Sequence, residues 1–230
     1  MTMRHLALTT ILILISSLSA KASIDWNHYN SAVGIIIQKF EFKTVCTGVL
    51  LAPRVVLTAA HCIEGLISAS VNIDEEITDP EHSGTVKLKY RARSWVMHPK
   101  YDSLKKTGTD LGLIFLNTPV TKFINYPRFS NSMNLRPSDP LIRIGFGKRE
   151  NKNIRTMIDE IFLRVTNSQI VATDQYGFGG DSGGPVFIDR QGQLFLIGTH
   201  SSRGTDSAGN LVDISFTQPL DLTWLDEVIL

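Results

Sequence analysis

Hydrophobic residues along the chain are grouped in short runs rich in β-branched side chains, and glycine, proline or polar residues separate these runs at close spacing. This arrangement is typical of an all-β sandwich or barrel. Helical patterns of about 10 to 15 residues do not alternate with the runs, so βαβ units are not expected. The predicted strands are Ala32 to Ile37, Val45 to Leu51, Val55 to Thr58, Val86 to Tyr90, Leu111 to Leu116, Leu141 to Ile144, Glu160 to Val165, Pro185 to Ile188, Leu194 to Thr199 and Ile214 to Thr217.

The last residues of the chain change to a helical period after Pro219, which predicts a C-terminal helix over about 220–229. Between the predicted strands, the segment from Asn117 to Asp139 is rich in proline, asparagine and serine. We interpret this segment as a connector between two halves of the molecule. The apolar residues that carry the helical period are Leu220, Leu222, Leu225, Val228 and Ile229.

The first residues have the features of an export signal. Arg4 precedes an apolar run from Leu6 to Leu18, and Ala20-Lys21-Ala22 offers a small-x-small cleavage site. The run is shorter than the roughly 20 residues that span a bilayer. We therefore predict a signal peptide over residues 1–22 and a mature chain over 23–230 that is secreted or periplasmic. No stable membrane association is expected after the signal has been removed.

The chain has two cysteines, Cys46 and Cys62. An exported chain meets an oxidising compartment, in which such a pair tends to form a disulfide. Two thiols alone do not make a four-ligand metal site, and these two do not form a Cys-x-x-Cys redox motif. We predict a disulfide bridge that closes a short loop around His61.

The charge of the chain is nearly balanced, with 23 basic and 22 acidic residues. A balanced chain does not favour a nucleic-acid partner. Acidic residues cluster over 74–81, and carboxylate oxygens are ligands that calcium prefers. A solvated acidic loop is the interpretation we favour for this cluster, with a calcium site as the alternative.

Three separated segments offer the parts of a nucleophilic site. A serine hydroxyl needs an adjacent base, and a third group must orient that base. Ser182 lies in a glycine-rich run from Gly179 to Pro185, His61 lies in the segment Thr58 to Cys62, and Asp110 opens an apolar strand. Each segment alone also has an ordinary structural explanation: a tight turn, a structural histidine beside a cysteine, or a strand-edge aspartate.

Together and in this order, the segments resemble the trypsin/chymotrypsin family of serine proteases over nearly the whole predicted mature chain. The resemblance implies two antiparallel β-barrels, the first over about 24–120 and the second over about 130–218. It implies Ser182 as nucleophile, His61 as general base and acid, and Asp110 as the carboxylate that orients His61, without a metal or organic cofactor. The stretches that carry it are Cys46 to Gly48, Ala59 to Cys62, His98 to Tyr101, Asp110 to Leu116, Gly145 to Gly147, Gly180 to Pro185 and the segment around Trp224.

The resemblance also assigns the neighbours of the nucleophile. The backbone N–H groups of Gly180 and Ser182 correspond to the oxyanion hole of the family. In the family, the aspartate that matches Asp181 often receives an N-terminal ammonium group released by activation cleavage. The usual activation sequence is missing here. Cleavage after Ser23 would expose Ile24 for this role, and an enzyme that needs no activation cleavage is the alternative.

The positions of the specificity pocket depart from the trypsin pattern. Tyr176 stands where members that cut after lysine or arginine have an aspartate, which disfavours such cleavage. The stretch from Gly198 to Arg203 resembles the glutamyl endopeptidase and exfoliative toxin branch, in which the matching histidine binds a substrate carboxylate, and His200 and Arg203 offer hydrogen-bond donors to an acidic P1 side chain. Alternatively, His200 packs beneath the triad and Arg203 points into solvent. Ile214 would narrow the pocket and permit a small aliphatic P1, and Ser201 would hydrogen-bond the peptide backbone.

The sequence thus predicts a monomeric, secreted serine endopeptidase that acts on protein or peptide substrates. The main alternative is a catalytically silent, protease-like domain used for binding, because a fold does not determine a function. An esterase ranks third, because the nucleophile lacks the Gly-x-Ser-x-Gly strand-to-helix context of the α/β-hydrolases.

Overall fold

The computed structural model describes residues 25–73, 76–77, 90–105, 107–130, 135–150, 152–166, 168–174, 176–205 and 207–229. Within these ranges, two antiparallel β-barrels are followed by a short C-terminal helix, which confirms the predicted all-β fold. The predicted signal peptide and Ile24 lie outside the described residues. The acidic segment 74–81 also lies outside them, apart from the backbone of 76–77.

The first barrel is built from strands in which alternate side chains point inward. In its first strand, Val33, Ile35 and Ile37 enter the barrel core, because successive side chains of a strand point to opposite faces. Ile36, on the opposite face, packs instead against Phe146 of the second barrel. In pairing order around the barrel, the strands are β1 (Ala32–Gln38), β2 (Lys43–Ala52), β3 (Val55–Thr58), β9 (Gly112–Leu116), β6 (Tyr90–Met97) and β4 (Ser68–Asn72).

The second barrel has its own apolar core, which includes Leu141, Phe162, Ile170, Val186 and Ile197. In pairing order its strands are β11 (Pro140–Gly145), β14 (Thr156–Val165), β15 (Ile170–Thr173), β18 (Leu211–Pro219), β17 (Gln193–Thr205) and β16 (Pro185–Arg190). Pairing of β17 with β18 closes the barrel. The short strand β10 (Arg128–Phe129) lies in the predicted connector and pairs in parallel with β17.

Smaller elements complete the fold. β12 (Lys148–Arg149) and β13 (Lys152–Ile154) form a hairpin that also pairs with β5 (Glu76–Ile77). The hairpin of β7 (Tyr101–Asp102) and β8 (Thr107–Gly108) precedes β9. A 3₁₀ helix covers Trp26–Tyr29, and the single-turn helix α1 covers Ala60–Ile63.

A further apolar cluster joins the two barrels to the C-terminal helix α2 (Leu222–Ile229). It combines Leu57 and Leu113 of the first barrel with Phe187 of the second and Trp224 of α2. Asp221 caps the helix, since its Oδ1 accepts the Trp224 N–H at 3.1 Å. The helix begins two residues later than predicted. Among the described residues, no helix is long and apolar enough to cross a membrane.

Candidate active site

His61 and Asp110 lie in direct hydrogen-bonded contact on the first barrel. His61 Nδ1 is 2.8 Å from Asp110 Oδ2, and the His61 backbone N–H donates to Asp110 Oδ1 at 2.9 Å. The same carboxylate therefore sets both the ring and the backbone of His61. Because Nδ1 is engaged by the carboxylate, Nε2 is left as the ring nitrogen that can exchange a proton with a nucleophile.

Local packing explains why α1 presents His61 at this place. The helix lies against the start of β9, where a Cβ on Gly112 would stand only 2.5 Å from Ile63 Cδ1. A larger residue at 112 would push the helix, and His61 with it, away from the strand that follows Asp110. The predicted disulfide between Cys46 and Cys62 is present, with the two Cα atoms 6.3 Å apart, and it ties α1 to β2.

Two further residues hold the Asp110 carboxylate and its backbone. The Ser201 hydroxyl donates to Asp110 Oδ2 at 2.6 Å, and the Asp110 N–H donates to Gln218 Oε1 at 3.1 Å. Burial alone would raise the pKa of Asp110, but the hydrogen bonds and charge of His61, with the Ser201 bond, outweigh burial and hold it below its ordinary value. Asp110 is therefore a carboxylate at neutral pH.

Ser182 lies on a tight turn that enters β16. The Gly183 N–H donates to the His200 carbonyl at 2.7 Å, and the His200 N–H donates to the Gly184 carbonyl at 2.7 Å. Gly183 has a φ of 78°, and a Cβ there would lie 2.1 Å from Thr58 Oγ1, so the turn approaches the first barrel as only glycine permits.

Thr47 of β2 fastens this turn to the first barrel. Its N–H donates to the Ser182 carbonyl at 2.8 Å, and its hydroxyl donates to the Gly180 carbonyl at 2.7 Å. The Ser182 carbonyl also lies 3.7 Å from Cys62 Sγ, the residue after His61. The structure thus brings the backbone of Ser182 against the helix that carries His61, although Ser182, His61 and Asp110 come from distant parts of the chain.

The Asp181 carboxylate, next to Ser182, is fully buried and paired with Arg149. Gly180 has a φ of 106°, a conformation that glycine adopts without strain. Sequence reasoning missed Arg149, because an arginine in a polar hairpin gives no sign of a buried partner 32 residues away. It also missed Thr47 and Gln218, whose contacts with the site span the two barrels.

The residues predicted for the specificity pocket differ in exposure. Tyr176 is 63% exposed, whereas His200 is 3% exposed. Arg203 is partly exposed, and its guanidinium donates to the Gly177 carbonyl at 3.1 Å. Ile214 faces Gly204, where a Cβ would lie 2.3 Å from Ile214 Cγ1.

A buried charged cluster lies behind His200. Fully buried Arg143 places Nη1 2.7 Å from His200 Nδ1, pairs through Nη2 with Asp174 at 2.8 Å, and lies 3.3 Å from Glu160. Asp174 also pairs with Arg203 Nε at 3.2 Å.

Burial and then the Arg143 charge lower the pKa of His200 well below its ordinary value, so its ring is neutral. Burial raises the pKa of Glu160 to about 7. The hydrophobic pattern gave no sign of this cluster, because Arg143 and Glu160 fall within predicted strands.

Comparisons with known proteins agree with this arrangement. A protein-family model described as Trypsin matches residues 27–224. Chymotrypsin of Phaedon cochleariae is 30% identical over 191 residues, which cover 73% of this chain and 68% of that protein. Chymotrypsin-2 of Vespa crabro is 28% identical over 168 residues, and this match covers 63% of this chain and 72% of that protein. The phenoloxidase-activating factor 1 of Holotrichia diomphalia is 27% identical, and the match spans about half, 52%, of that protein.

Proposed function

The chain belongs to the trypsin family, and on this premise we propose that it is a serine endopeptidase whose nucleophile is Ser182. The observation that carries the proposal is the His61–Asp110 hydrogen bond of 2.8 Å beside the turn that holds Ser182. A serine hydroxyl is a weak nucleophile without an adjacent, oriented base, and this arrangement supplies one.

In the proposed reaction, Ser182 Oγ attacks the carbonyl carbon of the scissile peptide bond while His61 Nε2 takes the hydroxyl proton. The tetrahedral intermediate collapses when the C–N bond breaks, and His61 returns the proton to the leaving amine. Water then attacks the acyl-enzyme in the same manner and releases the carboxylic acid and free Ser182. Asp110 keeps His61 in the required tautomer and stabilises the imidazolium that forms in each half-reaction.

The backbone N–H groups of Gly180 and Ser182 are proposed to hold the oxyanion. Preorganised donors of this kind stabilise the charge that develops on the carbonyl oxygen. The positive φ of Gly180 supports this role, because it sets how the 179–180 peptide that carries the donor is turned, and the Thr47 bond to the Gly180 carbonyl holds the next peptide of the same turn.

Residues 1–22 are proposed as the signal peptide and 23–230 as the mature, secreted or periplasmic chain. We propose that it works as a monomer, with the first barrel over about 24–120 and the second over about 130–218. The substrate would cross the cleft between the barrels, where residues of both meet at Ser182.

For specificity, we propose a P1 residue other than lysine or arginine. Tyr176 brings no acidic group to the pocket, and Arg203 is a partly exposed cation close to it. The burial of His200 against Arg143 favours a supporting role for this histidine, so that Arg203 meets a P1 carboxylate. Ile214 favours a small aliphatic P1 as the second candidate.

A peptide series that varies only at P1 separates these outcomes. We expect turnover after glutamate or a small aliphatic residue, and strong turnover after lysine or arginine with none after glutamate would overturn the proposal. If Arg203 binds the P1 carboxylate, Arg203→Gln lowers the ratio of kcat/KM for glutamate over glutamine. An unchanged ratio would remove Arg203 from the pocket.

Proteolysis itself is tested by comparing the mature chain with Ser182→Ala and His61→Ala. Both variants should lose turnover of an unstructured protein substrate, whereas Ser103→Ala, on an exposed turn, should keep it. A fluorophosphonate label distinguishes the catalytically silent alternative. A folded wild-type chain that neither cleaves peptides nor takes the label would be a binding domain.

A further inference from the structure

The carboxylate of Asp181 is enclosed next to the nucleophile. Its side chain is fully buried. A Cβ on Gly145 would stand 2.1 Å from Asp181 Oδ1, and a Cβ on Gly147 would stand 2.6 Å from it, so both glycines leave room for the carboxylate. The Gly147 N–H donates to Oδ1 at 2.6 Å, and the Phe178 N–H donates to Oδ2 at 2.9 Å.

Arg149 supplies the positive charge that this buried carboxylate needs. Its Nη2 lies 2.8 Å from Asp181 Oδ2 and its Nη1 lies 3.2 Å from Oδ1, so the two planar groups meet in a bidentate pair. A buried carboxylate without a partner is strongly destabilised. The pair therefore supplies the opposite charge that offsets the burial of the Asp181 carboxylate.

The same guanidinium also holds the loop that leads to Ser182. Arg149 Nη2 donates to the Tyr176 carbonyl at 3.0 Å, and its Cζ lies 5.0 Å from the centre of the Phe178 ring. Arg149 itself is fixed by the β12–β13 hairpin, in which it pairs with Lys152. One side chain thus connects the β12–β13 hairpin to the loop and to Asp181. Gly180 and Ser182 are the residues directly before and after Asp181.

We propose that Arg149 is a positioning residue that acts as an internal counter-ion for Asp181, so that the oxyanion turn is assembled without an N-terminal ammonium group. The inference rests on the proposed function, and it assigns to Arg149 the role that the sequence suggested for Ile24. Cleavage that exposes Ile24 is then unnecessary for activity.

The two counter-ions differ in their response to pH. A guanidinium stays charged at every pH used in an assay, whereas an α-amino group has an ordinary pKa of about 8, which pairing with a carboxylate raises, and it loses its charge at alkaline pH. The other titratable groups around the pair are Lys148 and Glu150 beside Arg149, Lys152 opposite it, Tyr176 on the loop and Glu160 behind Asp181. The comparison is therefore made between about pH 7.5 and 9.5, because this range lies below the ordinary pKa values of lysine and tyrosine side chains.

The experiment measures the second-order rate of labelling by a fluorophosphonate, and kcat and KM on a peptide substrate. The chains compared are the mature wild type with three N-termini, which begin at Ile24, begin at Ser23 or carry a short extension. All three should react within about twofold of one another, with a flat profile over the pH window. The inference would be overturned if the chain that begins at Ile24 is labelled while the chain that begins at Ser23, or the extended chain, is not.

Arg149 variants provide the second test. Arg149→Met should lower kcat and labelling about 100-fold, comparable with loss of an oxyanion donor, with a smaller change in KM. Arg149→Lys restores a cation and should recover at least a tenth of the wild-type rate. The control Arg190→Met removes a partly exposed pair with Asp139 on the second barrel and should leave labelling unchanged.

The outcomes are distinguishable. If Arg149→Met remains folded by circular dichroism and keeps more than a third of the wild-type labelling rate, Arg149 does not position the turn. If Arg149→Met does not fold, the three N-termini on the wild type still decide the question. If no wild-type form is labelled, the proposed function is wrong and the inference falls with it.

Discussion

Replacing Thr47 with valine removes one hydroxyl from the contact between the barrels while keeping the shape of the side chain. Thr47 is fully buried, and its hydroxyl donates to the Gly180 carbonyl and accepts the Phe146 N–H at 2.8 Å. Leaving a buried donor or acceptor unpaired costs about 1 to 3 kcal/mol. Two backbone groups lose a partner, but the Thr47–Gly180 bond is only partly buried, so we expect the free energy of unfolding of Thr47→Val to fall by about 2 to 4 kcal/mol and not by twice the upper value.

Activity should fall with stability, because the lost bond also restrains Gly180. We expect the fluorophosphonate labelling rate to fall more than tenfold, under conditions in which the variant is still folded. Urea denaturation measures the free energy of unfolding. Thr47→Ser keeps the hydroxyl and should recover most of the labelling rate, while Thr44→Val, exposed on the same strand, is the matched control. A loss below about 0.5 kcal/mol with unchanged labelling would refute this account of Thr47.

Three other predictions follow from the site and its surroundings. Asp110→Asn should reduce kcat about 10³- to 10⁴-fold, because the amide favours the wrong His61 tautomer, and a loss below tenfold would contradict the role of Asp110. Replacing both cysteines with alanine should cost about 3 kcal/mol in urea denaturation, since the bridge closes a loop with a sequence separation of 16, and an unchanged midpoint would contradict this. Glu160 has a folded pKa raised to about 7, so wild-type stability should fall relative to Glu160→Gln as pH rises from about 5 to 8, by on the order of 1 to 3 kcal/mol. A stability difference between these two proteins that does not change with pH would show that Glu160 has no raised pKa.

The strands that could be predicted from sequence are those whose side chains alternate between a barrel core and another apolar surface. β1 is such a strand, because both of its faces are buried and its run of isoleucines is unmistakable. β6 was missed over most of its length, since Tyr90–Met97 carries arginines on an exposed face. Ile170–Thr173 was also missed, although its first three residues are buried.

The candidate site divides in the same way. Ser182, His61 and Asp110 each lie in a short local motif. Such a motif can be identified in the sequence even when the residues that it contacts in the fold are far away along the chain. The contacts that hold the site are different, because Arg149, Thr47 and Arg143 meet their partners only after both barrels have formed. A threonine in a strand or an arginine in a hairpin has the same appearance in sequence whether it faces solvent or a buried carboxylate.

The most direct test of the central proposal is to locate the covalent adduct. The folded mature chain is treated with a fluorophosphonate, and intact mass spectrometry followed by peptide mapping identifies the modified residue. The account predicts one adduct per chain, on Ser182, that forms slowly or not at all in His61→Ala. An unmodified wild-type chain, or an adduct on a residue other than Ser182, would contradict it.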